Sequence, residues 1–333
     1  MKRLFFTLAS LFLLASGTSQ TLKSPAEFLG YELGTKFTRH HEVIAYFKYV
    51  SETLPQQMQL EPYGYTNERR PLMVAFLSSP DNMSRLESIR QAHLESTEGT
   101  GNSEVAVVWL SYNVHGNESV STEASMQTLY ELLTQRKEYL ENTLVIMDPC
   151  INPDGRERYV NWYYQYKNTP YQPNPDSKEH WEGWWSGRSN HYMFDLNRDW
   201  AWLTQVESQQ RLAKFNQWMP HIHVDFHEQG MNNPYYFAPA AEPYHEVITD
   251  FQRDFQKEIG QNHARYFDQN GWFYFTREVF DLFYPSFGDT YPTFNGEIGM
   301  TFEQGGSGSA CLGVIVDNGD TLTLKDRISH HLT

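Results

Sequence analysis

Cysteine is scarce in this chain: 333 residues hold only Cys150 and Cys311. A scaffold stapled by several disulfides is therefore excluded. The two thiols are either one bridge, which an oxidising compartment would permit, or two buried small hydrophobes, and neither is placed to serve catalysis or a metal. Basic residues are also few, 26 Lys and Arg against 41 Asp and Glu, for a formal net charge of −15. That balance argues against nucleic acid and anionic membrane surfaces as partners. Past the first twenty residues no long hydrophobic run occurs, so no stable membrane insertion is expected. Internal repeats, charge blocks and low-complexity linkers are missing as well.

What is present is the composition of an ordinary globular protein, 40% hydrophobic and 15% aromatic. One large α/β domain or two small ones would fit. The N-terminus is a separate object. Lys2-Arg3 precedes an apolar run, Leu4–Leu14, and then small residues from Ala15 to Ser19. A charged start, a short apolar middle and a small-residue end describe a secretory signal peptide over residues 1–19. The run is too short to span a bilayer, and no Cys at the junction could carry a lipid. The mature protein is expected to begin near Gln20 and to work outside the cytoplasm, secreted or periplasmic.

Periodicity gives the organisation of the rest. Parts of residues 20–60 read as helical, with Glu42–Lys48 apolar on one face, and Leu72–Leu77 reads as a strand. Ser78–Gly101 reads as polar, with a loop at its end. Val105–Val114 is a strand, Ser121–Leu140 a helical pattern, and Leu144–Met147 another strand ending in Asn152-Pro153-Asp154-Gly155, a turn signal. Strand, helix and strand at this spacing make a βαβ unit and imply a largely parallel sheet. Further on, a helix is expected at about Trp200–Trp218, strands at His221–Phe226 and Tyr235–Ala238, a helix at about His245–Phe267 and a last strand at Glu297–Glu303. The segment Tyr159–Trp202 holds six of the nine Trp and reads as a long irregular loop packed on itself, with a substrate-contacting rim as the alternative.

Chemistry gathers where strands end. His115 and Glu118 stand three residues apart just past the strand Val105–Val114, where α/β sheets present their ligands. Asp195-Leu196-Asn197-Arg198 supplies a guanidinium, a fork suited to a free carboxylate. In His221-Ile222-His223-Val224-Asp225-Phe226-His227 the alternation puts the imidazoles and Asp225 on one face. His227, before Gln229-Gly230, is the best placed to bind a metal, while His221 and His223 read as hydrogen-bonded without one. Glu303, in Thr301-Phe302-Glu303-Gln304-Gly305-Gly306, ends an apolar strand and can act as a general base on an activated water.

Together these elements resemble the zinc carboxypeptidase family of metallopeptidases, and the likeness runs from about Tyr31 to the C-terminus. The resemblance implies an α/β fold, a single domain over residues 20–333 with a mixed, largely parallel central sheet flanked by helices. It implies one zinc ion per chain, held by His115, Glu118 and His227, with Glu303 as the catalytic base. It further implies Asp195 behind the imidazole of His115, Asn197 and Arg198 on the substrate's terminal carboxylate, and, by a looser match, Tyr284 closing over the substrate. The substrates would be peptide or protein C-termini.

Three departures stand out. The family has a further Arg for the oxyanion before the Asp195–Arg198 element, and the expected stretch, residues 161–167, has none, leaving Arg156, Arg158, Lys167 and Arg188 as candidates. The stretch before His115 leaves little room for an inhibitory pro-domain, so an enzyme active as exported is expected. Asp326–Leu332 looks like the start of a final helix, cut short at Thr333. The pocket for the terminal side chain should lie near Thr290–Thr293, partly filled by Tyr291, with no acidic residue assigned to it. Other readings stay open: a cell-wall (peptidoglycan) peptidase of the same family, a catalytically inactive zinc- or peptide-binding module, and a His221/His223 metal site of a different hydrolase type. Glu303 argues against the inactive module, since a binder has no use for a base. The sequence does not indicate an oligomeric state.

Overall fold

Four apolar runs make the middle of the sheet because each is flanked on both faces. In the computed structural model, which describes residues 21–333, β3 (Ala106–Tyr112), β4 (Thr143–Asp148), β5 (Ile222–Gly230) and β8 (Ile298–Gly306) lie parallel in the order β4-β3-β5-β8. The hairpin of β1 (Met58–Tyr65) and β2 (Pro71–Leu77) adds antiparallel to β4, and β6 (Tyr235–Tyr236) with β7 (Tyr274–Phe275) completes the opposite edge. A separate hairpin joins β9 (Gly313–Ile315) and β10 (Thr321–Thr323). This is the expected single α/β domain with a mixed sheet. The signal-peptide reading of residues 1–19 lies outside the described residues. Among the described residues no helix is long and apolar enough to cross a membrane.

The period of two divides each strand between two cores. Val107 and Trp109 of β3 and Leu144 and Ile146 of β4 pack with Trp200, Leu212 and Phe215 on one side. Tyr112, Val145 and Met147 face the other side, against the helices His40–Thr53, Val120–Thr134 and Asp250–Asn270. Trp109 and Trp200 are both fully buried.

Several boundaries differ from expectation, each for a local reason. β1 was hidden by Pro62 and Gly64, which ordinarily break strands; the edge position and a register shift between them accommodate both. The polar stretch after Ser78 forms the helices Pro80–Ser84 and Leu86–Thr97, whose buried face is as narrow as Ile89 and His93. Asn152-Pro153-Asp154-Gly155 is a helix start rather than a turn: the Asn152 side chain accepts from the Gly155 N–H and Pro153 opens the helix Pro153–Tyr166. That helix takes the first part of the Trp-rich segment. The helix expected from Trp200 begins only at Val206 and ends at Phe215, because the Asp199 carboxylate accepts from the Thr204 and Gln205 N–H groups and holds an irregular turn. Both thiols are buried and unpaired, Cys150 facing Asn113 and Cys311 the Glu179 carbonyl.

The chain leaves β3 toward β4 on one side, while β5 lies on the other. Two loops that part in opposite directions leave a crevice at the strands' carboxyl ends, where open α/β sheets bind ligands.

Candidate metal centre and active site

β3 ends at Tyr112, and Asn113 turns the chain in the left-handed region (φ 62°). The Asn113 side-chain amide donates to the carbonyls of His115 and Glu118, at 2.7 and 2.8 Å, and so folds the loop before the helix Val120–Thr134. Gly116 sits where a Cβ would lie 2.2 Å from the Arg156 backbone nitrogen, so only glycine allows this approach. β5 carries His227 within the strand, directly opposite Glu303 of β8 in the parallel register.

These elements bring three buried side chains to one point. His115 Nδ1 is 2.8 Å from Glu118 Oε1, His227 Nδ1 is 2.9 Å from Glu118 Oε2, and the two Nδ1 atoms are 3.2 Å apart. The far nitrogens are each engaged: His115 Nε2 lies 2.9 Å from Asp195 Oδ1 and His227 Nε2 lies 3.1 Å from Asp225 Oδ2. A carboxylate only accepts, so His115 Nε2 carries the hydrogen and its Nδ1 turns a lone pair inward, while His227 Nε2 lies between the Asp225 carboxylate and the Asn197 amide nitrogen, 3.3 Å away, with its Nδ1 turned to the same point. Two ring nitrogens and a carboxylate facing one another call for a cation.

The electrostatics agree. Burial opposes charge on the Glu118 carboxyl, yet the His115 and His227 rings hold it well below the usual carboxylate range. Burial likewise opposes charge on the His227 ring, yet Asp225 and Glu118 push it well above its ordinary value. Positive charge is favoured at that point, as a divalent cation would supply it. Ligand atoms of all three residues lie within 4.8 Å of one another. Two imidazoles and one carboxylate are the donor set of a catalytic zinc site with an open fourth position, so these residues fit zinc.

The centre opens into a cavity of about 400 Å³ whose wall includes Glu303, Arg188, Asn197 and Arg198. Burial pushes the Glu303 carboxyl up to about 8, a shift that His227 opposes and Glu118 and Asp225 reinforce. Asp195 starts the short turn Leu196–Arg198 by accepting from the Asn197 N–H at 2.9 Å. The Asn197 side-chain oxygen accepts from the Gly288 N–H at 2.8 Å, and the Arg198 guanidinium lies 4.4 Å over the Phe287 ring.

Of the four cations left open by the sequence, Arg188 alone enters the cavity. Its Nη1 is 3.1 Å from Glu118 Oε1, and its Nε and Nη2 lie 3.2 and 3.0 Å from Asp195 Oδ2. Arg156 is buried on Glu123 and the Thr38 and Ser119 carbonyls, Arg158 donates to the Ser186 and Asn190 carbonyls, and Lys167 to those of Asn168 and Pro170.

Other expected residues fall elsewhere. Tyr284 does not reach the cavity wall: its hydroxyl accepts from Trp202 Nε1 at 2.7 Å, and Phe287 takes the wall position. Tyr291 turns back onto Trp200 (ring centroids 5.7 Å) and leaves the pocket to Asp289 and Thr301. His221 accepts from the Val107 N–H and His223 pairs with the Ser111 hydroxyl, so both are hydrogen-bonded within the fold. In the Trp-rich segment Trp200 is buried, whereas Trp181, Trp184, Trp185 and Trp202 are exposed, so self-packing accounts for only part of it. Two contributors were not singled out from the sequence. Asp225 was signalled by the alternation that puts it on the face of His227, and Arg188 by its place seven residues before Asp195.

The zinc carboxypeptidase family profile matches residues 43–271. Among solved structures, carboxypeptidase A from Helicoverpa armigera superimposes with a TM-score of 0.58 at 16% identity over 88% of this chain and 69% of its own. A metallo-carboxypeptidase from Burkholderia cenocepacia gives 0.61 at 15% identity, over 88% of this chain and 66% of its own. Bovine thrombin-activatable fibrinolysis inhibitor, solved with tick carboxypeptidase inhibitor, gives 0.57 at 13%, over 90% of this chain and 95% of its own. At such identities these likenesses establish the fold. No curated protein matches the sequence. The profile spans more than half of the sequence and takes in His115, Glu118 and His227, and the chain belongs to the zinc carboxypeptidase family.

Proposed function

We propose that the protein is a zinc-dependent carboxypeptidase that hydrolyses the last peptide bond of peptides or proteins. The observation that carries this reading is the shared cavity: His115 and Glu118 of the cluster completed by His227, the Glu303 carboxyl and the Arg198 guanidinium all face it. Zinc held by that cluster supplies Lewis acidity toward a carbonyl and a water that ionises near neutral pH.

The chain's own residues do the rest. Arg198, with Asn197, binds the substrate's terminal carboxylate and so sets the scissile bond one residue from the end. Glu303 takes the proton of the attacking water and returns it to the leaving amine. Arg188 offers donors to the oxygen on which charge develops. Asp195 and Asp225 keep the two imidazoles in the tautomer that presents Nδ1 to the metal. The charged, apolar and small-residue order of residues 1–19 supports an exported enzyme.

The test is metal content read beside activity. The wild type should bind one zinc per chain and release C-terminal amino acids. Glu303→Gln should keep the zinc and lose at least about a hundredfold in turnover. Zinc binding with no hydrolysis in the wild type would sink the reading.

A further inference from the structure

Glu303 and Gln304 are neighbours on β8 and therefore point to opposite faces of the sheet. Glu303 lines the active-site cavity, while Gln304 lines a second cavity, of about 680 Å³, that the proposed chemistry does not use. The walls of this second cavity come from the loop after β5, the turn after the helix Asp250–Asn270, the hairpin of β9 and β10, and the helix Leu324–Leu332. They are fixed to one another: the Asp317 N–H donates to the Asn232 side-chain oxygen at 3.0 Å, and the Tyr235 N–H donates to the Phe273 carbonyl at 3.0 Å.

The apolar part of the lining is aromatic and aliphatic, with Trp272, Phe273, Tyr235, Met231 and Leu322. Trp272 packs on the His330 ring, with centroids 4.3 Å apart, and stays half-buried. Phe273 is 80% exposed although its backbone is held, so its ring offers apolar surface that a ligand can cover. The charged part is of one sign. Asp317, Asp320 and Asp326 line the cavity, and among the described residues no Lys or Arg does. Asp326 is taken up by the capping box of its helix, and Asp320 accepts from the Asn318 amide at 2.8 Å. The Asp317 carboxylate has no partner among the described residues. Burial pushes the His330 ring down to about 4, so it brings no positive charge at neutral pH.

A hollow of ligand size, with an aromatic floor and carboxylates at its rim, is complementary to an apolar ring that carries a positive group. The geometry points to a second binding site, on the far face of the sheet from the metal centre, for a small arylalkyl amine. The ring of the ligand lies against Phe273, Trp272 and Leu322, and its ammonium group pairs with Asp317. An uncharged ring leaves that carboxylate without a partner, and an acidic ligand meets three like charges. The site stands whether or not the chain is a carboxypeptidase.

Tryptamine, tryptophol and indole-3-acetate share one ring system and differ in charge, so they test the site directly. Each is titrated by calorimetry into wild type, Phe273→Ala and Asp317→Asn at neutral pH. Tryptamine should bind the wild type about fivefold more tightly than tryptophol, with indole-3-acetate weakest. That preference should shrink in high salt. Asp317→Asn should bring tryptamine close to tryptophol and leave tryptophol unchanged, whereas Phe273→Ala should weaken both by about fivefold. Both side chains are exposed, so the unfolding midpoints of the variants should match the wild type. Equal affinity for the three compounds, or tryptamine binding that either variant leaves unchanged, would overturn the inference. So would the absence of binding by any of them up to about 10 mM.

Discussion

His115 Nδ1 and His227 Nδ1 stand 3.2 Å apart, although they come from elements 112 residues apart in the chain. Each ring is turned that way by a carboxylate behind it, Asp195 for one and Asp225 for the other. The expected consequence is a division of labour. His115→Ala or His227→Ala should abolish stoichiometric zinc, read by elemental analysis of the purified protein. Asp225→Asn or Asp195→Asn should keep the ligands but weaken zinc affinity by about 10- to 100-fold, read by competition with a chelator.

Arg188 and Arg198 face the same cavity, and the proposed mechanism gives them different duties. Arg188→Ala should lower kcat by about 10²- to 10³-fold, as expected for loss of a donor to the developing oxyanion, with a smaller change in KM. Arg198→Ala should act mainly on KM for peptides with a free C-terminus. Steady-state kinetics on one peptide separate the two patterns, and identical patterns would refute the assignment.

Arg156 is structural. Its guanidinium and the Glu123 carboxylate are both fully buried, 2.6 Å apart, and tie the helix Pro153–Tyr166 to the helix Val120–Thr134. Arg156→Met leaves a buried carboxylate unpaired and should cost about 3–5 kcal/mol, visible in the urea midpoint. The double variant with Glu123→Gln should recover part of that loss.

His40 gives a pH prediction with a definite sign. Burial pushes its ring down to about 4 from an ordinary 6.5, while Nε2 bonds the Pro71 carbonyl. Between pH 6.5 and 4 the unfolded ring binds a proton that the folded ring refuses, so the contribution of His40 to stability falls as the pH falls through that window. The full effect is on the order of 3 kcal/mol. Denaturant midpoints at pH 7 and pH 4.5 should differ less in His40→Gln than in the wild type.

The metal centre was legible because its chemistry uses strongly typed residues at strand ends. His115, Glu118 and Glu303 follow or close apolar runs, and the period of two puts His227 and Asp225 on one face of their strand. The central strands were legible for the same reason. β1 was not, because Pro62 and Gly64 are tolerated only at a sheet edge, and edge position is a property of the whole sheet. Neither was the choice of Arg188 over Arg156, since loop closure brings one to Glu118 and burial pairs the other with Glu123. The pocket was misread at Tyr291, which a short helix turns back onto Trp200, leaving Asp289 at the wall.

The most direct measurement is mass spectrometry of peptide pairs, one member with a free C-terminus and its twin amidated, after incubation with the zinc-loaded protein. Stepwise loss of single residues from the free peptides, little or none from the twins, and none with Glu303→Gln is the predicted result. Internal cuts, or equal cleavage of both twins, would contradict a C-terminal exopeptidase anchored by Arg198.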